Sequence, residues 1–121
     1  MDIDVILTPA DIERISKASE FTGLAVVFDV LRATSTMITA LHNGVKSIIP
    51  VSTIKEGLEL KKNFSDALLG GERNGLRISA KISGGVDFDL GNSPREFVKE
   101  KVDGKTVVIT TTNGTIELKL Q

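Results

Sequence analysis

Residues 24–63 read LAVVFDVLRATSTMITALHNGVKSIIPVSTIKEGLELKKN, and this stretch decides the fold class. Leu24–Asp29 is nearly all apolar, the pattern of a strand covered on both faces, as in a parallel sheet. Thr34–His42 then places Met37, Ile38 and Leu41 on one helical face, and Asn43-Gly44 supplies a C-cap. Lys46–Val51 is the next strand. Thr53-Ile54-Lys55-Glu56 forms a capping box, with Ile54, Leu58 and Lys61 along the face of the helix it opens. Strand and helix in alternation predict an α/β layered sheet.

The same alternation extends outward. Ile3–Leu7 reads as a strand, and Thr8-Pro9-Ala10-Asp11 supplies a capping residue, a proline at the first helical position and an acid in the first turn. A helix to about Lys17 follows. On the other side, Ala67–Leu69 is a short strand running into Gly70-Gly71. Gly70–Gly91 lacks clear periodicity, and long loops in compact domains are often functional. Ser93-Pro94-Arg95-Glu96 is a second capping box, opening a helix to about Lys101, and Lys105–Thr110 is the last strand. Gly114-Thr115 should open a helix, yet Ile116–Leu120 alternates like a strand. The expected architecture is a single α/β domain over residues 1–121, three-layer α/β/α, with a mainly parallel sheet that can also be mixed.

Composition narrows the function. The 15 basic side chains nearly cancel the 16 acidic ones, leaving a net charge of −1 and no electrostatic reason to expect nucleic acid or an anionic membrane as partner. Any anion site must be built locally. With no cysteine, disulfides, thiolate zinc sites and thiol nucleophiles are excluded. The acidic start, Met1-Asp2-Ile3-Asp4, lacks the basic flank of a signal peptide, and no apolar run is long enough to cross a bilayer. The expectation is a soluble, cytoplasmic protein.

Three strands end in loops of hydroxyls, glycine, asparagine and charges, and in open α/β sheets ligands bind beyond the carboxyl ends of strands. The first loop is Asp29-Val30-Leu31-Arg32-Ala33-Thr34-Ser35-Thr36. A carboxylate at a strand tip can hold a hard cation, an arginine can pair bidentately with phosphate or sulfonate, and hydroxyls at a helix start face an anion. Equally, Thr34 or Ser35 could only cap the helix, with Arg32 a solvated charge. The second loop is Gly70-Gly71-Glu72-Arg73-Asn74-Gly75, followed by Asp87–Pro94 with Asp89, Asn92 and Ser93. Its glycines let backbone approach a ligand and its carboxylates suit magnesium, while the plainer reading is a pair of turns. It is not a P-loop, for no lysine stands after the second glycine. The third loop is Thr110-Thr111-Thr112-Asn113-Gly114-Thr115, an anion site or a tight turn.

Other mechanisms fall away. His42, the single histidine, lies near a helix C-terminus, so neither a Ser-His-Asp triad nor a histidine-rich metal site can be built. Asp2-Ile3-Asp4 resembles the paired-aspartate motif of haloacid-dehalogenase-type phosphatases only superficially, because there the aspartates follow a buried strand and here they precede one.

Together, VVFDVLRATSTMITAL, GVKSIIPV, LLGGERNGLRI, FDLGNSPREF and GKTVVITTTNGT are similar in order and spacing to the 2-phosphosulfolactate phosphatases, over about Leu24 to Thr115. The resemblance implies an α/β/α fold, a magnesium cofactor, and hydrolysis of 2-phosphosulfolactate to sulfolactate and phosphate, a step towards coenzyme M in methanogens. Carried over by motif, it places Asp29 and Glu72 near the metal. Arg32, Thr34, Ser35, Thr36 and Arg73 would bind the phosphate or sulfonate of a small phosphorylated sulfonate. Asp89, Asn92 and Ser93 would line the second loop, with Thr111, Thr112, Asn113, Gly114 and Thr115 in the third. Whether Asp29 attacks phosphorus or holds magnesium stays open. Departures exist: Asn74 stands where glycine is common, and Gly114-Thr115-Ile116 where the family continues Gly-Thr-Arg.

Family members are roughly twice as long, so the chain is expected to be the N-terminal part of a longer phosphatase. A truncated, non-catalytic domain that binds small phosphorylated or sulfonated acids is the alternative. An open sheet with exposed edges would also allow a homo-oligomer, with Ile116–Leu120 pairing to a second copy.

Overall fold

The computed structural model describes residues 1–17 and 22–115. β1 (Ser47–Pro50), β2 (Leu68–Arg73), β3 (Leu76–Arg77) and β4 (Thr106–Thr110) form one sheet in the order β1-β4-β2-β3. β4 lies parallel to both β1 and β2, pairing Val107 with Ile48 and Thr110 with Gly71. β3 turns back antiparallel on the tip of β2, so the sheet is mainly parallel and mixed at one edge. Leu90 adds a parallel bridge to Gly70 on the flank of β2.

The β-branched run Val107-Val108-Ile109 explains why β4 is central. Alternate side chains leave opposite faces of a strand. Val107 and Ile109 join Ala40, Val45, Leu90, Phe97 and Val102 in one apolar cluster. Val108 joins Val51, Ala67, Leu69, Ile78 and Phe88 in the other. The first is covered by α2 (Ala33–His42) and α5 (Lys99–Val102), and the second by α3 (Ile54–Asn63) through Ile54 and Leu58. Helices on both faces make the expected α/β/α arrangement. Each fully buried Val, Leu or Phe contributes about 1.5–3 kcal/mol relative to exposure.

The helix starts largely follow the sequence signals. In α1 (Pro9–Lys17), the Thr8 hydroxyl accepts the Asp11 N–H at 3.2 Å and donates to the Asp11 carboxylate at 2.6 Å. In α3, Thr53 Oγ1 accepts the Glu56 N–H at 3.1 Å, while the Glu56 carboxylate takes the N–H of Ser52 and not that of Thr53. Gly44 ends α2 with a positive φ of 93°, as a glycine after the last turn should.

Four expectations are corrected. Ile3–Leu7 is not a strand: the segment has no regular structure, with Ile3 73% and Leu7 85% exposed. Leu24–Asp29 is not a strand of the sheet and is not covered on both faces. Its side chains alternate between exposed (Leu24, Val26, Phe28) and half-buried (Ala25, Val27, Asp29), the period of an extended chain packed on one side only. The second capping box does not open a helix to Lys101. Pro94–Glu96 makes a single 3-10 turn, Phe97 drops into the core, and the Glu96 carboxylate accepts the Gly91 N–H at 3.0 Å; α5 starts afresh at Lys99. Finally, Gly70–Arg73 belongs to β2, and Gly70–Gly91 also holds β3 and a short α4 (Ala80–Ser83). The alternation at Ile116–Leu120 lies outside the described residues.

Candidate functional site at one end of the sheet

Because β1, β4 and β2 are parallel, their carboxyl ends lie on one side of the sheet. There Thr110 stands beside Gly71, and the chain leaves β4 into Thr111–Thr115 just where β2 reaches Glu72. Gly71 makes this approach possible: at φ 144°, a Cβ on it would lie 2.0 Å from the Thr110 carbonyl oxygen. The second loop is therefore a strand end and a tight hairpin. Asn74 and Gly75 both take positive φ, 53° and 77°, as a two-residue turn between paired Arg73 and Leu76 requires.

Glu72 joins the second tip to the third. Its Oε1 accepts the Thr112 N–H at 2.7 Å, and its Oε2 accepts the Gly75 N–H at 2.9 Å and the Thr112 hydroxyl at 3.1 Å. Burial acts to raise the pKa of this carboxyl. The hydrogen bonds from Thr112 and Gly75, helped by the positive charge of Arg73, outweigh it and hold the group below the ordinary carboxylate range. Arg73 donates to the Glu72 carbonyl at 2.7 Å and to Thr110 Oγ1 at 3.0 Å.

The first loop meets the other two. A Cβ on Gly114 would come 2.8 Å from Asp29 Oδ2 and 2.7 Å from Ala33 Cβ, so the third tip lies directly against the Asp29 carboxylate. Arg32 Nη2 reaches the Gly75 carbonyl at 3.4 Å. Asp29 is fixed by its backbone: its N–H donates to Thr34 Oγ1 at 3.1 Å, and its carbonyl accepts the Thr34 N–H at 3.0 Å. Its carboxylate has no protein donor among the described residues. The hydroxyl of Ser35 donates to the Val30 carbonyl at 2.8 Å. Thr34 and Ser35 thus close the turn, and neither side chain caps α2, whose N-cap position is Arg32.

The other candidates divide. Thr111 and Thr115 are buried and bond each other: the Thr115 hydroxyl accepts the Thr111 N–H at 2.9 Å, and the Thr111 hydroxyl accepts the Thr115 N–H at 3.1 Å. Thr112 and Asn113 are exposed at the tip. Thr36 Oγ1 and Asn92 Oδ1 are buried without a hydrogen-bond partner among the described residues. Asp89 stands back from the tips, its carboxylate accepting the Leu69 N–H at 2.8 Å. Ser93 precedes the 3-10 turn and makes no side-chain cap. Sequence reasoning missed Gly75 and Ala33 as contact points between loops; the Asn-Gly pair signalled a turn, not the partner it would meet. A cleft lined by Lys46, Ser65, Asp66 and Lys105 lies at the opposite strand ends, away from this chemistry. No cluster of three or more acidic or histidine side chains poised for a metal occurs among the described residues.

The 2-phosphosulpholactate phosphatase family model matches residues 7–121. The chain belongs to that family. It is 58% identical over 96 residues to a probable 2-phosphosulfolactate phosphatase of Caldanaerobacter subterraneus, covering 78% of this chain and 37% of the relative. It is 47% identical over 120 residues to one from Clostridium acetobutylicum, covering 98% and 47%. A third, from Thermotoga maritima, is 58% identical over 91 residues, covering 75% and 36%. The chain spans less than half the length of these curated relatives. Among the described residues no helix is long and apolar enough to cross a membrane.

Proposed function

We propose that the three tips bind a small phosphorylated sulfonate, and that this chain carries part of the site of a magnesium-dependent phosphatase acting on 2-phosphosulfolactate. The observation that carries this reading is the meeting of Asp29, Gly114 and the Glu72–Thr112 pair at one end of the sheet, in a chain of this family. Arg32 and Arg73 supply cationic donors suited to phosphate and sulfonate. The start of α2 adds backbone N–H donors nearby in sequence.

The residues fit magnesium. That ion takes oxygen ligands and is usually held by one or two carboxylates together with waters and substrate phosphate, so it needs no cage of acids. Asp29 has a carboxylate not taken up by protein donors among the described residues, and it would hold the ion. When bound, magnesium supplies positive charge against the phosphoryl oxygens. The chain's own part is to orient the substrate with Arg32 and Arg73, present the backbone of Thr112–Gly114, and hold the Asp29 carboxylate beside Gly114.

The test is phosphate release from 2-phosphosulfolactate with and without magnesium, run beside calorimetric binding on this 121-residue chain. Magnesium-dependent release supports the phosphatase. Binding without turnover favours the alternative, a non-catalytic domain for small phosphorylated or sulfonated acids; neither binding nor release removes both.

A further inference from the structure

The two candidate metal carboxylates stand on either side of the loop after β4, yet their surroundings differ. Glu72 is 8% exposed and already accepts three donors, all from the loops beside it: Thr112 N–H, Thr112 hydroxyl and Gly75 N–H. Asp29 is half-buried, and its carboxylate takes no donor among the described residues. A Glu72 carboxylate that turned towards magnesium would surrender the bonds it accepts from two backbone N–H groups and a hydroxyl.

Between the two acids runs the third tip. Thr112 is tied to Glu72 at one side, and Gly114 is wedged against Asp29 and Ala33 at the other. The reciprocal bonds of Thr111 and Thr115 make the intervening residues one unit, so a movement of Thr112 is passed to Gly114. We propose that Glu72 is a positioning residue, a latch that sets how closely the third tip approaches Asp29, and not a magnesium ligand. This deepens the reading above and rests on it for the identity of the carboxylate that meets the metal.

The experiment compares the chain with its Glu72→Gln variant by amide hydrogen exchange, resolved by NMR, and by titration with magnesium chloride followed at the same amides. The latch predicts exchange at Thr112 and Gly75 rising about tenfold to a hundredfold in the variant, the size expected for losing bonds to a charged acceptor. The Gly114 amide resonance shifts as well. The magnesium concentration for half-saturation stays within about twofold, whereas loss of a ligand would raise it about tenfold or more. Unchanged exchange at Thr112 overturns the latch, and so does the larger rise in half-saturating magnesium. If the unsubstituted chain shows no magnesium response, the metal reading fails, and exchange with the Gly114 shift still decides the latch. Should Glu72→Gln not fold, Thr112→Val removes one of the three donors and keeps the carboxylate. A Gly114 resonance that stays in place in that variant overturns the proposal. In the phosphatase assay the latch predicts a lower kcat for Glu72→Gln at unchanged magnesium requirement.

Discussion

Glu72 grips Thr112 twice, by its backbone N–H at 2.7 Å and by its hydroxyl at 3.1 Å, across forty residues of sequence. This pairing ties the end of β2 to the loop after β4. Replacing Glu72 with alanine strands the N–H groups of Thr112 and Gly75 together. We expect a loss of about 2–3 kcal/mol in urea unfolding. A variant within about 0.5 kcal/mol of the parent would show that water satisfies both groups as well as the carboxylate does.

Acid should weaken the same tie. The folded carboxyl lies below its unfolded value, so between the two values the unfolded chain binds more protons. The stabilisation is therefore fully present above roughly pH 4.3 and is lost as pH falls through the lower, folded value. Thermal unfolding midpoints measured through that acidic window should fall more steeply for the parent chain than for Glu72→Gln. Parallel curves would disconnect Glu72 from acid stability.

Asp29→Asn keeps the shape of the first loop and removes its charge. The backbone bonds to Thr34 remain available, so the unfolding midpoint should hardly move. Magnesium-dependent phosphate release should fall about a hundredfold or more, the scale seen when a charge-stabilising group is lost from a site. Full activity in this variant would take Asp29 out of the mechanism.

Two glycines bear on the approach of the loops. Gly71→Ala forces a Cβ into the Thr110 carbonyl and demands a positive φ, so β2 and β4 must part, at a cost of about 2 kcal/mol or more. Gly114→Ala presses on Asp29 and Ala33 instead. It should cut ligand binding by calorimetry more than it cuts stability, and the reverse order would place Gly114 among purely structural residues.

The row Leu24, Val26 and Phe28 leaves three large apolar side chains 90%, 67% and 83% exposed. A contiguous surface of this kind binds apolar dyes and favours association. Phe28→Lys should lower binding of an anilinonaphthalene dye and shift sedimentation towards monomer. No change in either would show that this row does not govern association.

The layered α/β plan was readable because Val107-Val108-Ile109 and the capped α3 carry strong local signals, and because alternation limits the topology. The boundary of β2 was not readable. Gly70-Gly71 looks like a loop in sequence, and only the passage of Thr110 beside it shows why a strand needs glycine there. Leu24–Asp29 misled for the opposite reason. Its composition suits a buried strand, whereas burial depends on a neighbour that composition cannot name. At the site, hydroxyls and acids marked three loops, and the structure brings Asp29, Gly114, Thr112 and Glu72 of these loops together. Their division of labour was hidden, since Thr34, Ser35, Thr111 and Thr115 spend their hydrogen bonds on backbone nearby, and that depends on turn geometry.

The mutual bonds of Thr111 and Thr115 also make the apex modular. Two threonines clasp the base of the bend, so Thr112 and Asn113 are displayed from a closed ring whose shape owes little to Asn113 itself. On the proposed function, exchanging Asn113 for other polar residues should therefore alter ligand binding while the scaffold beneath stays as it is, making this apex a place for a designer to begin.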